Sequence, residues 1–275
     1  MTALVNLIVM LGMFVVIPTG LTLIDGPGTG RAARLWPIAA TAGALALWLP
    51  RGPGATALGC GYAGATLALA ALAPLRLRLT GSLAPAEIAT LTALVTPSVA
   101  GVALVAERSG HRLFGFDLRI LALTVPHFHF AGFTAALIAG LLCRTSPDRL
   151  AARAAALSVP VGTLLVLAGY FIDDWAQLLG AVVLTCGMWL VGLLTWRDLR
   201  SRACSRDLLT GRLFAVSSAV LAATMVLALW WALGRAAGFP HPTLTWMAAT
   251  HGLGNALGFA LCGLLAWRRT KELHP

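Results

Sequence analysis

The chain has 275 residues, 59% of them hydrophobic and 11% charged, with a mean hydropathy of +0.85. Soluble domains run near half apolar and a quarter charged, so this composition excludes an ordinary soluble globule, a disordered chain and a disulfide-built scaffold, and points to a multi-pass integral membrane protein. A net charge of +10 would suggest nucleic acid in a soluble protein, but here the basic residues fall in short breaks between apolar runs and read as topology signals beside anionic lipid.

A membrane span needs about 20 apolar residues. Nine runs qualify: 3–24, 35–50, 55–75, 83–106, 120–143, 154–172, 175–196, 213–233 and 244–267. The first lacks a basic leader and a small-residue cleavage site, so it is expected to stay as a helix and not to be removed as a signal. The second is short and bounded by Pro37 and Pro50, which leaves eight spans as the alternative. Breaks such as Asp25-Gly-Pro-Gly, Arg51-Gly-Pro-Gly and Arg144 through Asp148 are loops by composition. None is long enough for an extramembrane domain, so residues 1–275 read as a single integral membrane domain.

Lys and Arg set the expected orientation. With nine spans and the C-terminus inside, 15 of the 20 basic residues face the cytoplasm, among them Arg76, Arg144, Arg149, Arg202, Arg206 and Arg268. The five outside are Arg51, Arg108, Arg112, Arg119 and Arg235. This bias predicts N-out/C-in, and the expected fold is all-α, a polytopic transmembrane helical bundle. Trp36, Trp48, Trp175, Trp196 and Trp267 fall at predicted interfaces and read as an aromatic belt. Cys60, Cys143, Cys186, Cys204 and Cys262 are scattered without CxxC spacing, so no disulfide framework, zinc site or covalent haem attachment is expected.

Ionisable groups inside spans are costly and are functional candidates by default. The fifth span reads Thr124-Val-Pro-His127-Phe-His129-Phe-Ala-Gly132-Phe133, and the ninth Thr250-His251-Gly252-Leu-Gly254-Asn255-Ala-Leu-Gly258-Phe259. In the nine-span topology His127 and His251 each lie about 10 Å below the outer face at 1.5 Å per residue. Pro126 has no N–H to give and pushes Val125 away from helical dihedrals, so the fifth span is expected to break there. On the ninth, His251, Asn255 and Gly258 share a face, and Gly252, Gly254 and Gly258 permit close approach of a helix or ligand. His127, His129, His251 and Asn255 are therefore the catalytic candidates, and Thr124, Phe133, Trp246, Thr250 and Gly254 the substrate-lining ones.

The acidic candidates are Asp173 and Asp174 at an outer turn, able to orient a histidine, bind a cation or simply cap a helix, and Glu87, able to snorkel or to line an inner cavity with Thr90. Asp117 reads as a surface partner of Arg119. His111 and His241 read as loop residues and His274 as tail.

The pair HFHFAGF (His127 to Phe133) and HGLGNALGF (His251 to Phe259) resembles the YndJ-like family of bacterial multi-pass membrane proteins, whose H-x-H-x-A-G-F and H-G-x-x-N-A-x-G-F elements are matched residue by residue. The resemblance covers about a fifth of the chain. It implies a location in the bacterial cytoplasmic (inner) membrane, a chain made of the membrane part alone, and a transporter-like label without a mechanism. Pro126-His-Phe-His-Phe is also similar to the haem-ligand helix of haem-copper oxidases, but the chain has neither a His-His copper pair nor an H-x-x-x-Y cross-link.

Three functions fit these residues. The first is a cofactor-independent acid–base enzyme acting on a lipophilic small molecule, by isomerisation, cyclisation, epoxide opening or hydrolysis. A neutral imidazole takes a proton, an imidazolium gives one, and Asn255 can hold a developing oxyanion. No G-x-S-x-G, H-E-x-x-H or Asp-rich prenyl-diphosphate motif is present. The second is a secondary transporter with histidine protonation sites. The third is a redox protein holding b-type haem or zinc at His127, His129 and His251. The expected partners are the lipid bilayer and a lipophilic substrate, with no nucleic acid; the oligomeric state stays open.

Overall fold

The computed structural model describes residues 2–146, 150–205 and 207–272, without the side chain of Arg202. Asp148, Arg149, Arg206 and His274, each assigned a place above, lie outside the described residues. The chain is all-α, with no strand among the described residues. Among the described residues nine long helices follow one another: α1 (Thr2–Leu21), α2 (Thr29–Trp48), α3 (Pro53–Thr80), α4 (Pro85–Ser109), α5 (Leu118–Thr145), α6 (Leu150–Gly169), α7 (Asp174–Leu199), α8 (Leu208–Ala237) and α9 (Leu244–Glu272). Eight of them are long and apolar enough to cross a membrane. The exception is α2, the short Pro-bounded run of the sequence. It is 20 residues long, about 30 Å at 1.5 Å per residue, but Arg31 and Arg34 in its first turns dilute its apolarity. The third run extends beyond its expected end, so Arg76 and Arg78 lie on helix α3 and not in a break.

Helix ends follow from local chemistry. Asp117, Asp173 and Thr243 accept hydrogen bonds from the first-turn N–H groups of α5, α7 and α9, at 2.7, 2.7 and 3.2 Å, satisfying donors that have no partner inside the helix. Gly110 and Gly238 end α4 and α8 at φ 73° and 74°, the left-handed conformation that glycine adopts without a Cβ penalty.

Contacts divide the chain into two compact units. The first comprises Met1–Ser82 with Leu91–Thr134, and its core holds Met13, Tyr62, Leu104 and Phe133, all essentially inaccessible. Trp36 is buried here, its Nε1 donating to the Met13 carbonyl at 2.8 Å. The second unit comprises Leu83–Thr90 with Ala135–Pro275. In it α6 and α7 pair as a hairpin through glycines seven residues apart on each helix. A Cβ on Gly162 would stand 2.6 Å from the Leu184 backbone, one on Gly169 2.5 Å from the Gln177 nitrogen and one on Gly187 2.7 Å from Ser158 Cβ. Small residues thus let the two backbones touch where apolar lipid offers no drive for larger side chains to associate.

Two members of the expected aromatic belt are not interfacial. Trp36 is buried as described, and Trp267 packs edge-on against Phe214 with ring centroids 5.8 Å apart, whereas Trp48, Trp175 and Trp196 are exposed.

The second unit closes its last helix with a charged latch. Asp207 caps α8 through the Leu209 and Thr210 N–H groups and accepts from Arg269 of α9, NH2 at 2.8 Å and Nε at 3.0 Å. Hydrogen bonds from the Thr210 hydroxyl and from Arg269 lower the Asp207 pKa to about 2. A carboxylate whose pKa is depressed on folding stabilises the fold fully above its unfolded value and loses that contribution as pH falls through the folded value. The α8–α9 latch is therefore expected to hold unchanged above about pH 4 and to loosen as pH approaches 2. Proteolysis of the α9 end at graded pH measures this. Release that begins at neutral pH would contradict it.

Candidate functional site

Each unit carries one buried histidine site. In the first, α5 passes Pro126 without breaking, contrary to the sequence expectation. The helix runs through Leu118–His127 and widens into a π-helical segment over Phe128–Thr134. The missing Pro126 N–H costs one hydrogen bond, and the widened turn absorbs the misfit while the Thr134 hydroxyl donates to the His129 carbonyl at 2.9 Å. Such π segments recur at functional positions in helices.

This winding turns His129 fully inward. Its Nε2 lies 2.7 Å from the Tyr62 hydroxyl of α3, and the two rings meet edge-on. Its Nδ1 has no hydrogen-bond partner and faces Gly12 of α1, where a Cβ would stand 2.5 Å from it. Nε2 is thus taken up by Tyr62, and Nδ1 is enclosed against Gly12. Within either unit, no three His, Cys, Asp or Glu side chains among the described residues come together in a way that could hold a metal.

His127, two residues before, is half-buried and meets Phe128 edge-on at 5.7 Å. Phe133 is fully buried in the same unit, and the Thr124 hydroxyl donates to its own helix at Ile120 O, 2.9 Å. Tyr62 was not a candidate by sequence; being one of only two tyrosines, and lying in a span, was the available signal. Replacing Tyr62 with Phe is expected to cost about 1–3 kcal/mol, because it leaves both ring nitrogens of a buried imidazole unpartnered. Thermal unfolding of the detergent-solubilised protein checks this; an unchanged midpoint would refute the pairing.

The second unit holds the more open site. α9 enters through Thr243 and winds as π segments over Ala248–Gly252 and Gly254–Leu261. His251 is half-buried there. Its Nδ1 hydrogen-bonds the Thr224 carbonyl of α8 at 2.8 Å. A carbonyl only accepts, so Nδ1 carries the proton. Asn255 stands beside the other ring nitrogen, Nδ2 to Nε2 at 3.2 Å, and its Oδ1 accepts from the Thr224 hydroxyl at 2.7 Å. Close approach of α8 and α9 makes this possible. A Cβ on Gly254 would stand 3.0 Å from Thr224 Cγ2, and one on Gly258 2.6 Å from Val220 Cγ1. Thr224 is the member that the sequence did not disclose.

The remaining candidates sit apart from these two clusters. The Thr250 hydroxyl donates to Trp246 O at 2.8 Å, and Trp246 is exposed, edge-on to Trp230. Asp173 is a helix cap, and Asp174 pairs with Arg235 at 2.9 Å. Glu87 is buried on Arg144 at 3.3 Å, with Thr90 accepting from the same guanidinium at 2.8 Å. His111 and His241 lie in loops, as expected.

These features define a multi-pass α-helical membrane protein with a polar histidine site inside each of its two units. The family model described as YndJ-like protein matches residues 7–259. The chain therefore belongs to the YndJ-like family. Comparisons with curated proteins and with solved structures gave no match.

Proposed function

We propose that this chain is a membrane-embedded acid–base enzyme acting on a lipophilic small molecule, with His251 as the proton-exchanging group. The observation that carries this reading is the His251 site itself: an imidazole fixed by the Thr224 carbonyl, with its basic nitrogen beside Asn255, on a residue that is not fully buried. Orientation by one nitrogen leaves the other to take or give a proton. Asn255 is suited to hold a developing oxyanion beside it. Isomerisation, cyclisation, epoxide opening and hydrolysis all need such a pair and no resident cofactor. Under the same reading the chain lies in a bacterial cytoplasmic membrane with its N-terminus outside and its C-terminus inside, the side that the basic residues favour.

The experiment is turnover of total lipid extract by the purified protein, read by mass spectrometry against His251→Gln. A species consumed by the unsubstituted protein alone supports the enzyme; identical profiles overturn it. A Soret band in the purified protein would also remove this reading.

A second reading, a proton-coupled carrier, rests on His129. A fully buried imidazole paired to Tyr62, with Nδ1 unpartnered, suits an internal protonation site better than substrate chemistry. Proton-coupled transport in proteoliposomes that survives His129→Gln would rule out this histidine as the proton site.

A further inference from the structure

The His251 site is a closed chain of hydrogen bonds, and the chain closes equally well in two protonation states. In the neutral state the Thr224 hydroxyl donates to Asn255 Oδ1 at 2.7 Å, Asn255 Nδ2 donates to His251 Nε2 at 3.2 Å, and His251 Nδ1 donates to the Thr224 carbonyl at 2.8 Å. The Thr224 hydroxyl, one Asn255 N–H and the Nδ1–H of His251 each have an acceptor. The Thr224 hydroxyl has a second acceptor in reach, the Leu221 carbonyl at 3.2 Å. A hydroxyl has one proton to give and rotates to suit its neighbours, so this alternative is redundant in the neutral state.

That redundancy has a use. We propose that Thr224 and Asn255 are positioning residues that let His251 gain and lose a proton without moving a backbone atom. The Asn255 N–H gives up the Nε2 lone pair, and the proton arrives there from the reacting group. The Asn255 amide turns over, presenting Oδ1 to the new Nε2–H and Nδ2 to Thr224 Oγ1. The Thr224 hydroxyl then swings its proton from Asn255 to Leu221 O. Only hydrogen bonds are exchanged; one proton is added, and no buried donor or acceptor is orphaned. Leaving one orphaned would cost the desolvation of that group. Turning an amide exchanges an oxygen for an NH2 of nearly the same shape, so the surrounding packing is unaffected.

Among the described residues of this unit, no charged side chain hydrogen-bonds to His251. Among the described residues, the polar partners of His251 are Thr224 O and Asn255. The charged residues of the two helices that build the site, Arg212 and Arg235 on α8 and Arg268, Arg269, Lys271 and Glu272 on α9, lie toward the helix ends, and none hydrogen-bonds to His251. The imidazolium's partners among the described residues are therefore neutral dipoles, and their ability to reverse takes the place of a carboxylate.

The inference deepens the acid–base reading and rests on it for its purpose, but its test does not require turnover. The full chain, labelled with 15N in histidine and in asparagine side chains and placed in lipid bilayers, is titrated by solid-state NMR. The His251 signals are those lost in His251→Gln. The expected neutral form is protonated at Nδ1 and hydrogen-bonded at Nε2, and the Asn255 amide signal shifts in step with His251 protonation. Thr224→Ser should reproduce both. Thr224→Val should keep the Nδ1–H form, because the backbone carbonyl remains, but uncouple the Asn255 signal from the titration. A neutral form protonated at Nε2, or an Asn255 signal indifferent to His251 protonation in the unsubstituted chain, would overturn the proposal even if the protein proves to be an enzyme. Intact coupling without turnover would instead sink the enzyme reading and leave the proton-holding chain standing.

Discussion

Replacing His251 with alanine is expected to lower turnover by at least a hundredfold while leaving the amount of protein in the membrane unchanged. General acid–base catalysis by a positioned side chain contributes typically 10²–10⁴-fold, and His251 is an imidazole held in one orientation by the Thr224 carbonyl without being fully buried. The fold should tolerate the change. α8 and α9 are joined near this point by glycines rather than by the imidazole, with Gly258 seated on Val220. Farther along, Ser217 donates to the Phe259 carbonyl at 2.9 Å, and Asn255 keeps its bond to Thr224. Loss of activity together with loss of protein would point to a structural role. Full activity at normal abundance would remove His251 from the mechanism. Asn255→Leu is a useful companion, because it should slow turnover while leaving the Nδ1 bond of His251 in place.

The contrast between the two histidine sites explains what the sequence disclosed. Eight of the nine apolar runs became helices of spanning length and apolarity because hydropathy is a sum over many residues and tolerates local error. His251 and Asn255 were placed together by their i, i+4 spacing, and they do meet, although through a π segment that no periodicity predicts. Thr224 stayed hidden because a lone threonine in an apolar span is common, and its role depends on which helix packs opposite it. Tyr62 stayed hidden for the same reason, 67 residues from His129 in the chain. Proline chemistry alone suggested a break at Pro126, where a π-widened segment instead carries α5 on without interruption. For tryptophan, identity could not separate an interfacial ring such as Trp175 from a buried one such as Trp36, since both need the same apolar body and one polar partner.

The charges that first served only to orient the chain include a structural cluster, and its disruption is expected to have the largest effect on stability. Arg108 counts among the outside charges, yet it and its neighbour Glu107 are both buried, Glu107 to 2% exposure and Arg108 to 7%. Glu107 accepts from Arg108 Nε and from Arg51, Nε at 3.0 Å and NH2 at 2.6 Å. Arg108 NH1 in turn reaches the carbonyls of Ala46, Leu47 and Leu49 at 3.3–3.4 Å. Those are the last carbonyls of α2, which have no partner within their own helix. The guanidinium therefore caps α2, and the carboxylate neutralises the cap. Glu107→Gln keeps the shape and removes the charge, leaving a buried guanidinium without its counter-ion. Breaking a buried pair in this way costs roughly 3–5 kcal/mol. Arg51→Ala should cost only about 1 kcal/mol or less, because that side chain is 50% exposed. Unfolding of the two variants in the same detergent gives the comparison. A Glu107→Gln variant no less stable than Arg51→Ala would show that α2 is not held by this pair. α2 is also the helix that falls short of the apolarity of a membrane span, and the buried Arg108–Glu107 pair secures its end.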